Sequence, residues 1–283
     1  MIQRQRWFKV VSHLVLLTGV ALVIFPIYIA LVASTHSGQE MAQSPVPIWF
    51  GRHAWDNYGN ILSGNVPGMA NQIPVSRMLW VSLVMALVIP TGKIVISLMS
   101  AFAIVYFRFP WRMAVFWAIF VTLMLPVEVR IAPTYQVVAD LGMLNTYAGL
   151  TIPLVASATA TFLFRQFFMT IPDELVEAAK IDGALPMRFF WDILLPLSRT
   201  SIAALFVIQF IYGWNQYLWP LLISTNEDMY PIVMGIRRLI GGGDAQVEWN
   251  VVMTTAVLAM LPPAMVVMLM QKWFVKGLVD TEK

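Results

Sequence analysis

Few residues in this chain could do chemistry, and those few lie in unusual places. Lys93, Glu128 and Arg130 are ionisable side chains set in or beside long apolar runs. A charge at membrane depth is costly, so each needs a reason to be there. Lys93 either faces a polar path and attracts an anion such as phosphate, or pairs with a neighbouring subunit. Glu128 and Arg130 follow a break expected at Pro126, near the outside face of an apolar run; they pair with each other or sit at a boundary, or Arg130 offers its planar donor fork to a phosphate. Gln209, Asn215 and Gln216 lie beside Trp214, Tyr217 and Trp219. Such amides can hold the hydroxyls of a polyol while the rings stack on its carbons. The alternative is a set of interhelical hydrogen bonds within an interfacial aromatic belt.

Covalent and metal chemistry find no support. The chain has no cysteine, and His13, His36 and His53 are isolated, so no metal-ligand spacing exists. The pair Gly92-Lys93 does not make a nucleotide-binding loop, because position 87 is Leu and position 94 is Ile. No catalytic residue is expected, and no enzyme.

A second group of polar residues is concentrated in residues 165–197. Asp173, Glu174, Glu177, Asp182 and Asp192 stand there against Lys180 and Arg188. Pro172 with two acids suits a helix start, with Leu175, Ala178 and Ala179 on one face. Gly183 permits a sharp exit. Pro186 opens a second short helix lined by Phe189, Phe190 and Ile193, and Pro196 ends it. A loop lying on anionic lipid would favour Lys and Arg. An acidic helix of small residues suits a groove on a partner protein better.

The elements that position these residues follow from composition. The 283 residues are 59% hydrophobic and 12% charged, with a mean hydropathy of +0.73, against about 25% charged in soluble domains. The formal charge of +3 is too small for a nucleic-acid-binding stripe. Six apolar stretches approach the roughly 20 residues needed to cross a bilayer: 11–34, 78–106, 113–127, 147–164, 198–223 and 251–271. The third and fourth are expected to run past Glu128 and Arg165. The first has too long an apolar run for a signal peptide and is read as a retained helix. Of the eighteen Lys and Arg, twelve fall on one side, five on the other, and Lys93 within a span. The positive-inside rule then puts both termini in the cytoplasm. Residues 35–77 and 224–250 are outside loops, the latter with a flexible turn at Gly241, Gly242 and Gly243, and 165–197 is the longest inside loop.

The run Glu177-Ala178-Ala179, Gly183, nine residues, then Ile193-Leu194-Leu195-Pro196 resembles the EAA motif of ABC-importer membrane subunits. Along its whole length the chain resembles the maltose-type permeases of that family, through Leu123-Met124-Leu125-Pro126, the stretch from Gly142 to Tyr147 and the stretch from Tyr212 to Tyr217. More narrowly, Leu123 to Glu128, Phe162 to Met169 and the ending Gly277-Leu278-Val279-Asp280 are similar to the glycerol-3-phosphate branch.

The resemblance implies an all-α integral membrane protein of six transmembrane helices with the type I importer fold. Residues 1–76 would hold the first helix and an extracytoplasmic segment, and 77–283 the core with its coupling loop at 165–197. Glu177, Ala178, Ala179, Asp182, Gly183, Ile193, Leu195 and Pro196 would dock on a separate ATPase. Implied partners are a second permease, two ATPase subunits that bind ATP and magnesium, and a soluble extracytoplasmic binding protein. This chain would hold no cofactor and lie in the bacterial inner membrane. A sugar or oligosaccharide is the alternative substrate. An ion-coupled carrier would instead show inverted repeats and acids buried mid-helix, and an uncoupled channel or scaffold would co-purify with no ATPase.

Overall fold

The computed structural model describes the backbone of residues 6–66, 73–122, 125–240 and 247–279, with side chains except those of Arg6, Val127, Glu128 and 272–279. Leu123 and Met124, the glycine turn at 241–243, the Glu128 side chain and Asp280 lie outside the described residues.

Every regular element described is helical. Helix α1 spans Arg6–Ala33, and short α2 (Gly38–Met41) follows it. Ser37 starts α2 through a reciprocal cap: the Glu40 N–H donates to Ser37 Oγ at 3.3 Å, and the Ser37 N–H donates to Glu40 Oε2 at 3.0 Å. Helix α3 (Ala54–Ser63) ends at Gly64, and α4 (Val75–Tyr106) is the longest helix among the described residues. Helices α5 (Arg112–Val121) and α6 (Val127–Asp140) follow, then α7 (Tyr147–Thr151) with a 3-10 turn, and α8 (Ala158–Phe168). Helix α9 (Asp173–Ile181) and α10 (Pro186–Phe189) lead through a π turn at Phe190–Leu194 into α11 (Leu195–Leu197). The remainder comprises α12 (Arg199–Trp214), α13 (Leu218–Ile223), α14 (Ile232–Ile240) and α15 (Trp249–Val279).

Among the described residues, three stretches are long and apolar enough to cross a membrane unbroken: 7–33, 75–106 and 249–271. Two more pass as bent pairs: Tyr147–Leu154 with Ala158–Phe168 at 45°, and Pro186–Leu197 with Arg199–Trp214 at 70°. The helix of the expected fourth span does continue past Arg165, to Phe168. The expected third, 113–127, is not one helix: α5 ends at Val121, and α6 begins only after Pro126. Proline has no N–H and biases its predecessor, Leu125, away from helical geometry. The expected fifth, 198–223, breaks at residues 215–217, where Asn215 caps α12 and Pro220 falls in the first turn of α13.

The chain divides into two compact units, Met1–Arg77 with Gly235–Leu261, and Met78–Met234 with Pro262–Lys283. In the first, Asn57 Nδ2 donates to the carbonyls of Ser34 and His36, and Thr254 Oγ1 donates to the Ser34 carbonyl. In the second, the described residues include two apolar clusters. One joins Val81, Met85 and Ile89 of α4 to Leu150, Trp219 and Ile223. The other joins Ile94, Leu98 and Phe102 of α4 to Phe164, Phe168 and the 179–194 segment.

Candidate coupling loop and membrane polar cluster

The acidic loop is built on the second apolar cluster. Asp173 and Glu174 occupy the first turn of α9, where the helix dipole favours negative charge, and Lys180 occupies the last. Ala179 is buried in that cluster, against which Val176, Ile171 and Ala184 also pack. The expected face of Leu175, Ala178 and Ala179 is therefore corrected. Leu175 and Ala178 are exposed, and the inward face runs through Val176 and Ala179, three residues apart.

Gly183 takes φ +68° and no atom lies within 4 Å of a Cβ placed there, so the position demands a left-handed backbone rather than space. Phe189 and Phe190 are buried and Ile193 packs beside them. The Phe190 ring lies 5.1 Å from Phe102, and the Phe189 ring lies 5.4 Å from Tyr106. These contacts clamp the loop to the end of α4.

The outer side of the loop is different. Glu177 and Asp182 are exposed, and Ile181 is 86% exposed, with Leu185 and Met187 open beside it. An acidic rim around unpartnered apolar side chains is the pattern of a docking surface. Arg188 pairs with Asp192 at 3.3 Å, but both are largely exposed, so the pair adds little stability. Leu195 and Pro196 line an open groove of about 610 Å³ with Trp191, Arg199, Ile202 and Phe206.

The second site lies within the helices. Lys93 is only 7% exposed. Its ammonium donates to Gln209 Oε1 at 2.9 Å and sits 4.1 Å over the Tyr212 ring. The fold thus joins Lys93 and Gln209, residues 116 apart in sequence. Tyr212 is the member of this cluster that sequence reasoning missed as a contact residue; the only signal for it was its place one turn beyond Gln209. Gly92, the neighbour of Lys93, lets Val155 at the bend before α8 approach α4 closely.

Asn215 is exposed at the α12 break, and Gln216 Nε2 donates to the Tyr212 carbonyl at 3.1 Å. Arg130 is exposed on α6. Trp214 is buried and stacks on Phe210, and Trp219 is buried with its indole N–H donating to the Gly149 carbonyl at 3.0 Å. Those two rings serve packing and offer no open face. Among the described residues, no group of three or more His, Cys, Asp or Glu could hold a metal.

The stretch from Gly142 to Tyr147 is a joint. Asn145 stands at φ +56°, and its Oδ1 accepts the N–H groups of Thr225 and Asn226 at 2.7 and 2.8 Å. Thr146 caps α7 by accepting the Gly149 N–H at 3.0 Å.

Residues 93–280 match the family described as binding-protein-dependent transport system inner membrane component. Over 283 residues and the full length of both chains, the sequence is 58% identical to the sn-glycerol-3-phosphate transport system permease protein UgpE of Brucella melitensis, and likewise to that of Rhizobium meliloti. It is 57% identical to the UgpE protein of Pectobacterium atrosepticum over 286 aligned positions. A solved chain from a bacterial ABC transporter involved in import of the acidic polysaccharide alginate has the same fold, with a TM-score of 0.78, 21% identity, and coverage of 97% of this chain and 99% of that one.

Proposed function

Starting from a chain that belongs to the binding-protein-dependent transport system inner membrane component family, we propose that it is the permease subunit of an ATP-driven importer of sn-glycerol-3-phosphate. The observation that carries this is the high identity, extending from end to end, to permeases that bear that substrate in their names. The chain is a multi-pass inner-membrane protein and a transport subunit rather than an enzyme.

Its finer organisation belongs to the same proposal. Six crossings of the type I importer fold place both termini in the cytoplasm, with residues 1–76 preceding a core at 77–283. The exposed face around Glu177, Ala178, Asp182 and Gly183 docks on an ATPase, while Ile193, Leu195 and Pro196 tie that face to the bundle. Two such ATPases bind ATP and magnesium, a second permease completes the path, and a soluble binding protein delivers substrate from outside. Closure of the ATPase pair moves the docked loops together and rocks the spans between inward- and outward-facing states. Because Phe189 and Phe190 pack on α4, movement of the loop is passed to the helix that carries Lys93. In the path, Lys93 and Arg130 attract the phosphate, while Gln209, Asn215 and Gln216 meet the glycerol hydroxyls.

The test is uptake by the complex reconstituted in vesicles with its ATPase and binding protein. Radiolabelled sn-glycerol-3-phosphate should accumulate only with ATP and be unaffected by excess maltose. Competition by maltose, or no accumulation, rejects the substrate. Independently, Glu177→Lys should reduce co-purification of the ATPase; wild-type recovery with normal ATP turnover rejects the docking face.

A further inference from the structure

Between Glu40 and Arg52 the chain carries no charged residue and reads Met-Ala-Gln-Ser-Pro-Val-Pro-Ile-Trp-Phe-Gly. Its apolar side chains find little cover in the fold. Trp49 is 74% exposed, and Val46, Ile48 and Phe50 are each more than half exposed. The backbone beneath them is firmly held. Tyr28 of α1 donates its hydroxyl to the Ile48 carbonyl at 2.7 Å, and its ring meets Phe50 edge-on at 5.9 Å. His36 Nε2 donates to the Trp49 carbonyl at 2.8 Å, since a carbonyl can only accept. The Gly51 N–H donates to Thr35 Oγ1 at 2.7 Å. Satisfied carbonyls under outward apolar side chains are what a low-polarity boundary requires.

The position along α1 identifies that boundary. Helix α1 has 28 residues and is about 42 Å long, close to the roughly 40–45 Å of a bilayer with its headgroups. Its far end, at Ala33, therefore lies near the outer edge of the headgroup layer. Tyr28 stands five residues before that end, about 7.5 Å deeper, and helical side chains lean toward the N-terminus. The interfacial layer on each side is about 5–7 Å thick. The Ile48 carbonyl therefore sits where headgroups meet acyl chains, on a helix whose residues 7–27 are exposed all round.

We propose that residues 46–50 form an interfacial hook, doubled back along the first span, whose Ile48, Trp49 and Phe50 side chains seat in the phospholipid headgroup layer. Tryptophan suits this place because its ring is mostly apolar while its indole N–H still finds headgroup oxygens and water. The hook sets the depth and tilt of α1 in the membrane. Assignment to the outer leaflet rests on the orientation proposed above; the burial in lipid does not.

The chain has no cysteine, so single thiols can be placed cleanly. Ile48→Cys, Trp49→Cys and, for a position in water, Asp56→Cys would each be labelled with an environment-sensitive fluorophore in the assembled, reconstituted transporter. Spin-labelled lipid carrying its quencher near the headgroup should quench positions 48 and 49 at least threefold more than position 56, and iodide should show the reverse order. Iodide quenching equal to that at position 56, without lipid quenching, overturns the hook. Shielding from both quenchers, whether constant or present only with the binding protein, means a protein covers the segment and also overturns it. Labelling by a membrane-impermeant thiol reagent from the ATP side alone would overturn the orientation while leaving the lipid contact standing.

Discussion

Lys93 shares its ammonium between an amide oxygen and an aromatic face, which leaves donors free for an anion, since an ammonium carries three. Arg130 is exposed on its helix and supports no packing of comparable kind. The two substitutions should therefore differ. Arg130→Ala should lower uptake of sn-glycerol-3-phosphate roughly tenfold or more, the equivalent of one charged hydrogen bond of about 1.5–3 kcal/mol, with an unchanged melting temperature. Lys93→Ala should lower uptake similarly but also melt earlier, because Gln209 Oε1 loses its partner. Unchanged transport in both variants rejects phosphate contact. Gly183 gives a second residue-scale prediction. With open space around it and φ at +68°, Ala should cost about 1–2 kcal/mol, and Asn, which tolerates this region, should cost less. Faster amide exchange across 173–184 in Gly183→Ala than in Gly183→Asn would show it; equal rates would show that shape at this turn is unimportant. Lys93 and Gly183 were legible in the sequence because each is expensive or rare where it stands. The contact with Tyr212 was not, since a pairing between α4 and α12 leaves no local pattern.

Helices and turns decide how the loop is held. Phe190 is buried against Phe102 at the π turn, and truncating a buried Phe costs about 3–5 kcal/mol. Phe190→Ala should loosen the whole 173–196 segment, seen as faster exchange there, and reduce ATP-driven transport, while equilibrium substrate binding to the complex changes little. Loss of binding without loss of coupling would contradict that division. Helix α2 offers a pH test outside the spans. The Ser37 backbone N–H, and then the His36 side chain, hold the Glu40 carboxyl below its ordinary 4.5. A carboxyl held lower in the folded chain stabilises it fully above the ordinary value, and that contribution is lost as pH falls through the lowered one. Protection of the amides at residues 37–42, taken relative to their intrinsic exchange rates, should thus hold above 4.5 and fall only below it; loss of protection already at higher pH would contradict the assignment to Glu40. Spacing made the buried pair Phe189 and Phe190 legible, because a short helix after Pro186 can bury only that side. The inward face of α9 was misread by one position, as apolar residues at 175, 176, 178 and 179 allow either stripe. The break at Pro126 in the third expected span was legible, because proline lacks an N–H, whereas the break at Asn215 in the fifth escaped because a hydropathy run averages over a single polar residue.

For the molecule as a whole, the number of crossings fixes where the ends lie. Among the described residues the membrane-length helices number three unbroken, or up to five with the bent pairs, and either odd count would leave the two termini on opposite sides. The balance of Lys and Arg over the six expected spans favours the same side. The difference rests on α5 and α6. Helix α5 has ten residues, about 15 Å, or half the roughly 30 Å of hydrocarbon. Alone it would enter and stop, leaving buried backbone groups at its end without partners. Helix α6, beginning after Pro126 and carrying fourteen residues, supplies about 21 Å more, so the two in series are long enough to complete a crossing. The proposed even count therefore requires that the break ahead of α6 at Pro126 lie inside the membrane and that Arg108 and Asp140 end up on opposite faces. Single cysteines at these two positions, with Asp182→Cys and Glu227→Cys as references, can be probed with an impermeant thiol reagent in vesicles of both orientations. Arg108→Cys and Asp182→Cys should react only from the ATP side, and Asp140→Cys and Glu227→Cys only from the other, with tags on both termini following position 108. If positions 108 and 140 react from the same side, α5 and α6 form a re-entrant turn, the termini separate, and the even-crossing topology fails.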